Sequence, residues 1–592
     1  MGKDLSLSIK KAKHSLIKSI LTFKPSLALI IFFDYFISIK SALIRNIVKN
    51  RLTLLILTLI TICAYFIRVK FSFDSPYATH FSTDDFGHCS RAGLLADGAS
   101  SFTQIINASY SDAHPIFRNL VLNMILRITN NVYDFRLVSM IPGILLIPLA
   151  FFFTKIICLN MDDKPRHSNL IALIISCFYA FSFLPINLSI GTRPYTLMLL
   201  FQICSLISFL SFNRSKNTCL LILFYFFCAL AIITDYSALI PIGTLAFASI
   251  VLTWNKRLQI KHKNIVIAGS ILLLSITGFQ FYNMHTRSTT ESTILERNVN
   301  LTYIAGPYIT NFEGFRISLF KTFRSFFITT EHRANVEVFT FAMEFLYFTG
   351  LIYLIFRRSY LLLFLALFPM IFGATLSYLK LFPFNGGRHG VYLFLSILIS
   401  YISVFSFLLN QRSWLITKFL FTLILIGFFN CSGIYKSSSE YLKLVSSTLN
   451  RFDPIPLSES TLMDIVDLIN NNKYKEYDII LPEHLESRLR YYLITTKFKK
   501  SKTQPDLFKS LTEKEKNFLT NEYSVLYHFE NHHIEYAGTK SLSGESFNKA
   551  LVISLDPLRQ ESILKYLKDK GFTKSIIKVT HSDWIYDELQ TD

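Results

Sequence analysis

The sequence predicts an all-helical protein that crosses a membrane many times and carries a small α/β domain at its carboxyl end. The chain has 592 residues, of which 51% are hydrophobic and 57 are Phe, and its mean hydropathy is +0.39. Apolar runs long enough to cross a bilayer, roughly 20 residues each, recur up to residue 435, after which the composition becomes that of a soluble domain. We therefore expect an amino-terminal segment (1–50), a membrane domain (51–435) and an extracytoplasmic domain (436–592).

The positive charge of the chain follows its apolar part. The formal net charge of +20 would on its own suit a nucleic-acid partner. Residues 436–592, however, hold 22 basic and 23 acidic residues, so the excess lies in the first 435 residues. There it gathers in short loops between apolar runs, as the positive-inside rule requires. The distribution predicts a membrane orientation and no nucleic-acid partner.

About eleven apolar runs qualify as spans. They lie at 51–70, 135–158, 169–187, 194–212, 219–235, 237–253, 264–282, 337–356, 360–379, 391–409 and 414–432. Every second loop is basic, so we expect the first span to run outward and the carboxyl-terminal domain to end on the outer side. The loop at 283–336 is polar and aromatic, which suits either a mobile substrate cover or a structured plug.

Two further apolar segments are too short to cross a bilayer. The run at 26–39 is interrupted by Asp34, so we expect an interfacial helix on the inner side, with a re-entrant hairpin as the alternative. The amphipathic segment at 114–129 is expected to lie in the outer interface, as a lid beside the first outer loop.

The carboxyl-terminal region shows alternating helix and strand signals. Apolar residues at helical spacing follow residue 460, YDIIL from 477 reads as a strand, and 483–493 reads as a second helix. A further strand, ALVISL from 550, leads into Asp556-Pro557, a favourable helix start. These signals predict a small α/β domain.

Three sets of polar residues fall on loops that the alternation places outside. They are Asp84, Asp85 and His88 after the first span, Arg193 and Asp235 at the next two outer turns, and Arg388 and His389 before a late span. Charges near a bilayer are costly unless they face water or a cavity, so each set is a functional candidate. An aspartate can take a proton from a hydroxyl while guanidinium groups bind phosphate. Fixed cations also stabilise a phosphate as it leaves a sugar.

Each candidate also has a purely structural explanation. The acidic pair would then be a solvated loop, and Arg193 and Arg388 would anchor the chain at the interface. Asp235 would cap the helix that follows it. His88 and His114 would be ordinary hydrogen-bonding residues.

The order of these motifs resembles that of a known family. Asp84-Asp85, then HPIFRNL from 114, GTRPYTLMLL, TDYSALI and GGRHGVYLFL follow one another as in the GT-C glycosyltransferases. The resemblance is to their protein O-mannosyltransferase-like and lipid A aminoarabinose transferase-like branch. It covers about residues 51–430, and LRYYL at 489–493 is also typical. It implies sugar transfer from a polyprenyl- or dolichyl-phosphate to a surface glycan, lipopolysaccharide or protein.

The resemblance also implies roles for individual residues. Asp84 matches the catalytic base of an inverting transfer and Asp85 the acid that follows it. The residues expected to bind the donor phosphate are Arg193, Tyr195 and Arg388, and those expected on the acceptor side or in support are His88, His114, Asp235 and His389. No metal cofactor is expected, although an acidic pair can bind a divalent ion. The implied location is the bacterial inner membrane, with the endoplasmic reticulum as the alternative.

The sequence departs from the family pattern in three places. Asp85 stands where Glu is usual, His114 is followed by a single Pro, and His389 stands where Tyr is common. The identities of the sugar and acceptor therefore stay open.

Two rival classes remain. A ligase for diphosphate-linked glycans would need a more arginine-rich outer cavity, and a flippase would need internal repeats and broken spans, neither of which the sequence shows.

Overall fold

The computed structural model describes most of the membrane domain and part of the carboxyl-terminal region. The described residues are 51–73, 106, 116–129, 136–161, 165, 167–191, 193–254, 260–288, 309, 311–326, 333–379, 382, 384, 387–410, 464–465, 468, 478–480, 549–554, 572–581 and 584–591. The chain forms two compact units, Met1–Ile60 and Thr61–Asp592, and apart from the start of the first helix the features below belong to the second.

Helices make up the described membrane domain. They are α1 (Arg51–Phe73), α2 (Ile116–Thr129), α3 (Leu137–Asn160), α4 (Ser168–Phe181), α5 (Phe183–Ile190), α6 (Tyr195–Ser215), α7 (Thr218–Thr234), α8 (Leu239–Trp254), α9 (Ile260–Ser288), α10 (Phe312–Arg324), α11 (Arg333–Phe356), α12 (Tyr360–Tyr378) and α13 (Phe394–Asn410). Two 3-10 turns, Tyr236–Ala238 and Gly387–Leu393, precede α8 and α13.

These helices agree with the expected spans. Among the described residues, seven helices are long and apolar enough to cross a membrane, or eight if the bent pair α4 and α5 counts as one. Helices occupy ten of the eleven expected positions, and the eleventh, 414–432, lies outside the described residues. The run at 26–39 also lies outside them. Within the loop at 283–336 that is expected outside, α10 is helical, and this agrees with either role expected for the loop.

Small residues bring the helices of the bundle close together. α13 is buried along most of its length and packs on α3, α4, α11 and α12. The Ser400 hydroxyl donates to the Tyr347 carbonyl of α11. A Cβ added at Gly350 would lie 2.2 Å from the Ser400 carbonyl oxygen, so only glycine fits there. Such small-residue contacts replace the hydrophobic effect as the packing force in a membrane.

The expected span at 169–187 is not a single helix. It breaks at Ser182, where α4 and α5 meet at 53°. Ser182 is extended (φ −66°, ψ 145°), and the Phe183 amide turns away to donate to the Phe326 carbonyl at 3.2 Å. Pro185 carries no amide hydrogen, so it cannot continue the ladder to Phe181 but is tolerated in the first turn of α5. The expectation of unbroken spans was therefore wrong here.

Several polar contacts join the ends of neighbouring helices. In each case the alternation of basic loops places the two joined ends on the same side of the membrane. At the inner end, the end with the α3–α4 and α6–α7 connections, Lys155 Nζ donates to Asn169 Oδ1 at 2.7 Å, and Thr218 Oγ1 lies 3.2 Å from His262 Nε2. At the outer end, which holds the α5–α6 and α7–α8 connections, Ser139 contacts Arg193. The contacts agree with the alternation up to α9.

The carboxyl-terminal region contains a four-stranded sheet. Its strands are β1 (Asp478–Ile480), β2 (Lys549–Ser554), β3 (Phe572–His581) and β4 (Trp584–Thr591), in the order β1-β2-β4-β3. β1 and β2 are parallel, with Ile479 opposite Leu551, and the other pairs are antiparallel. β1 and β2 confirm the two expected strands, whereas the β3–β4 hairpin was not anticipated. The helices expected at 483–493 and after Asp556 lie outside the described residues.

Candidate functional site

The structure describes part of the expected site. Asp84, Asp85, His88 and His114 lie outside the described residues. Arg388 and His389 are described by their backbone, within the second 3-10 turn. Arg193, Tyr195 and Asp235 are described with their side chains.

The loops that carry the second and third polar sets meet in the fold. The second 3-10 turn (Gly387–Leu393) packs against α5, α6, α8 and α10 and against the first 3-10 turn, Tyr236–Ala238. Arg193 is separated from the start of α6 by Pro194, and Asp235 directly precedes the first 3-10 turn. Positions 193, 235 and 388, far apart in sequence, therefore belong to one cluster of elements at the outer end.

Two reciprocal hydrogen bonds fix the turn that holds Arg193. The Ser139 hydroxyl donates to the Arg193 carbonyl at 2.6 Å, and the Thr196 hydroxyl donates to the Ser139 carbonyl at 2.9 Å. They fasten the start of α6 to the first turn of α3. The Arg193 backbone is therefore held by α3, its side chain is half-buried, and Tyr195 is buried.

Asp235 caps the turn that follows it, which confirms the structural role considered from the sequence. Its Oδ1 accepts from the Ser237 amide at 2.9 Å and from the Ser237 hydroxyl. Burial raises the pKa of the Asp235 carboxyl, and the Ser237 hydrogen bonds and the positive charge of Arg118 act in the opposite direction. The Asp235 side chain therefore both caps the turn and interacts with the positive charge of Arg118.

Arg118 is a member of the cluster that the sequence analysis missed. It lies on α2, which packs on α3 and α7, and its side chain is fully buried. Its Nε and Nη2 donate to Asn119 Oδ1 at 3.2 and 2.8 Å. A buried guanidinium beside a carboxyl at the end of a helical bundle is a candidate anion site.

The amphipathic pattern of α2 shows which of its residues share a polar face. In the structure that polar face is turned toward the protein and not toward water. From its amphipathic pattern, this helix was expected to lie in the outer interface as a lid. In the structure Asn119 and Asn123 are buried, whereas Met124 and Ile128 are 50% and 77% exposed. A helix surrounded by lipid turns its apolar side outward and its polar side to the protein, the reverse of a helix in water.

Two further arginines are buried in the described membrane domain. Arg136, which precedes α3, is 5% exposed, and Arg68 on α1 is fully buried. Arg68 Nη1 donates to the Ala180 carbonyl at 3.0 Å. In an unbroken helix that carbonyl would accept from the amide of residue 184, so Arg68 binds a carbonyl that the Ser182 break leaves available.

The described residues contain no group of three His, Cys, Asp or Glu side chains that could hold a metal ion. Asp84 and Asp85 are outside that search.

Together these features define a polytopic helical membrane protein with cations and a carboxyl gathered at the outer end of its bundle. No protein-family model and no curated protein matches the chain.

Solved structures of membrane transferases align with the chain. ArnT from Cupriavidus metallidurans bound to undecaprenyl phosphate is 11% identical, covering 90% of this chain and 97% of that one, with a TM-score of 0.44. Its apo state gives 10% identity, the same coverages and a TM-score of 0.43. The Archaeoglobus fulgidus oligosaccharyltransferase tethered with an acceptor peptide is 11% identical, covering 90% and 74%, with a TM-score of 0.41. These are GT-C fold glycosyltransferases, the class that the sequence motifs resemble.

Proposed function

We propose that the chain is a GT-C glycosyltransferase that moves a sugar from a polyprenyl-phosphate carrier to an acceptor on the outer face of the bacterial inner membrane. The observation that carries the proposal is the cluster at the outer end, where the loops of Arg193, Asp235 and Arg388 meet beside the buried Arg118. Cations packed at a membrane surface suit a lipid-linked phosphate, because they attract the anion while its chain stays in the bilayer.

The proposed reaction is a single displacement with inversion. An acceptor hydroxyl oxygen attacks the anomeric carbon of the sugar, and the bond from that carbon to the phosphate oxygen breaks. The electron pair leaves with the polyprenyl phosphate. Asp84 takes the hydroxyl proton as general base, a role that typically accelerates a reaction about 10²- to 10⁴-fold. Asp85 orients the base or the acceptor.

Arg193 and Arg388 bind the donor phosphate in this proposal, and Tyr195 supports Arg193. Arg118 adds a third positive charge to the cluster, because its charge already acts on Asp235. These cations stabilise the negative charge that develops on the leaving phosphate. His88, His114 and His389 belong to the acceptor side, with Asp235 in support.

The broken span deserves comparison with the flippase alternative, because discontinuous helices are typical of transporters. Transporter breaks lie near the middle of the membrane, at corresponding positions in two repeats. Here the break follows the 14 residues of α4 and leaves only the 8 residues of α5 toward the outer end. Among the described helices it is a single bent pair. The transferase therefore remains the better account.

A donor panel tests the proposal. Purified protein is incubated with membrane extract and polyprenyl-phosphate sugars that differ in the sugar, and release of free polyprenyl phosphate is measured together with sugar incorporation. The proposal expects both products from one donor in equal amounts. Consumption of diphosphate-linked glycans alone would show a ligase, and transbilayer movement without bond cleavage would show a flippase.

A further inference from the structure

The inner end of the bundle holds a second basic cluster, at the opposite end from the proposed active site. It lies where α6 ends and where α7 and α9 begin, and it consists of Lys216, Thr218, Lys261 and His262. The sequence from Arg193 to Thr290 contains a single acidic residue, Asp235, and that residue is at the outer end. No carboxylate of these three helices or of their connections can therefore neutralise the cluster.

One aromatic ring holds two of these basic groups together. Lys216 Nζ lies 5.6 Å from the centre of the Phe212 ring, and the His262 ring packs edge-on to the same ring at 5.4 Å. Lys216 itself has a left-handed backbone (φ 55°), and its Nζ donates to Asn213 Oδ1 at 3.1 Å. The Lys216 ammonium group and the His262 ring therefore lie beside the same aromatic ring.

His262 has an unusual environment for a polar group. It is 2% exposed, and its Nε2 lies 3.2 Å from the Thr218 hydroxyl. Among the described residues no protein group bonds to its Nδ1. If the Thr218 hydroxyl donates to Nε2, the ring carries its proton on Nδ1, which is then a buried donor that lacks an acceptor.

The helix starts add to the positive character of this place. α7 begins at Thr218 and α9 at Ile260, and the Thr218–His262 contact brings the two amino-terminal turns together. The amino-terminal end of a helix carries about half a positive charge and favours anions. The charges of Lys216 and Lys261 both act on the His262 ring.

We propose that this inner cluster binds the phosphate of an anionic phospholipid headgroup, with Lys216 and Lys261 supplying charge and His262 Nδ1 supplying a directed hydrogen bond. A lipid phosphate suits the site for two reasons. The cluster lies at the end of apolar helices, where lipid headgroups lie. His262 Nδ1 also needs a hydrogen-bond acceptor, which a phosphate oxygen supplies and a simple counter-charge does not. The site is separate from the proposed transfer reaction and does not depend on it.

Lipid retention measured by native mass spectrometry tests the proposal. The detergent-purified chain is titrated with phosphatidylglycerol and, separately, with zwitterionic phosphatidylcholine. Lys216→Gln should weaken phosphatidylglycerol binding about fivefold, the effect of one lysine near an anionic surface. Phosphatidylcholine binding should not change. Lys216 is exposed, so this variant keeps the fold.

Three further variants separate a built site from general attraction of a basic membrane face. Arg214→Gln removes the same charge two residues away and should alter affinity less than twofold. His262→Asn places an amide nitrogen near the Nδ1 position and should bind like the native chain. His262→Gln places its nitrogen near Nε2 and should bind several-fold more weakly without any loss of formal charge.

Two results would overturn the inference. Equal losses in Lys216→Gln and Arg214→Gln, with no difference between the two His262 variants, would show non-specific electrostatics. Displacement of the lipid by inorganic phosphate at equal concentration would show that the site takes free phosphate and not a headgroup.

Discussion

Arg118 and Asp235 are the residues whose environments say most about the outer cluster. Arg118 is fully buried and hydrogen-bonded to Asn119, and its charge acts on a carboxyl that burial makes harder to ionise. Buried charges in a membrane protein are costly and are retained where they have a task. The outer cluster therefore contains fixed charged groups, Arg118 and Asp235, in the absence of a ligand.

The raised pKa of Asp235 predicts how stability depends on pH. The unfolded carboxyl loses its proton at a lower pH than the folded one, so the folded state binds more protons between the two values. Stability of the native chain should therefore fall as the pH rises from about pH 4, where an unfolded aspartate titrates. Asp235→Asn should lack this fall.

Melting temperatures of the native chain and of Asp235→Asn, measured in detergent from about pH 4 upward, check the prediction. A variant that loses stability relative to the native chain as the pH rises would show that attraction to Arg118 outweighs burial.

Two buried arginines should respond differently to the same change. Arg118→Gln removes a cation from the outer cluster and should lower transfer at least about 10²-fold, as loss of a charge-stabilising donor does. Arg68→Gln removes the hydrogen bond to Ala180 and should cost about 1–3 kcal/mol of stability while donor affinity is kept. Transfer rates and melting temperatures of both variants, measured together, separate the two roles. If both substitutions lowered transfer equally, Arg118 would have no role in transfer that Arg68 lacks.

At the scale of helices, close contacts at small residues position the elements that carry the site. Gly350 of α11 lies against Ser400 of α13, and α13 follows the turn that contains Arg388. Ser139 similarly fastens α3 to the start of α6. The geometry of the outer cluster thus depends on helix packing below it.

A pair of glycine substitutions tests this packing. Gly350→Ala places a Cβ against the backbone of Ser400 and should destabilise the chain by about 1–3 kcal/mol, the usual cost of overpacking. Gly278→Ala is the control, because nothing lies within 4 Å of its added Cβ. It should be neutral or stabilise slightly, since alanine favours a helix. Thermal unfolding of the two variants would contradict the account if Gly350→Ala were equally well tolerated.

At the scale of the whole molecule, the alternation of basic loops predicts the orientation of the chain in the membrane. Glu313 of α10 is expected outside and Arg214 at the end of α6 inside, and both side chains are exposed. Cysteines introduced at these positions should react differently with a membrane-impermeant maleimide. Glu313→Cys should react in intact cells, and Arg214→Cys should react after permeabilisation. The reverse pattern would place the proposed site on the inner side.

The sequence was sufficient for most of the helical architecture, because apolar length and basic loops are strong, local signals. It also gave β1 and β2 from short apolar runs. It did not reveal the break at Ser182, because Pro185 alone does not determine where a helix breaks and the Phe183 amide bonds to the distant Phe326 carbonyl. Arg118 was missed for a related reason, since a polar residue on a short amphipathic helix is taken to face water until its neighbours are known.

Transfer by single-site variants tests the central claim most directly. Donor binding and single-turnover transfer are measured for the native chain, Asp84→Asn and Arg193→Ala with the donor that the panel identifies. The account predicts that Asp84→Asn binds the donor normally and transfers about 10²- to 10⁴-fold more slowly, as loss of a general base requires, whereas Arg193→Ala binds the donor poorly. Native transfer rates in Asp84→Asn would contradict the account.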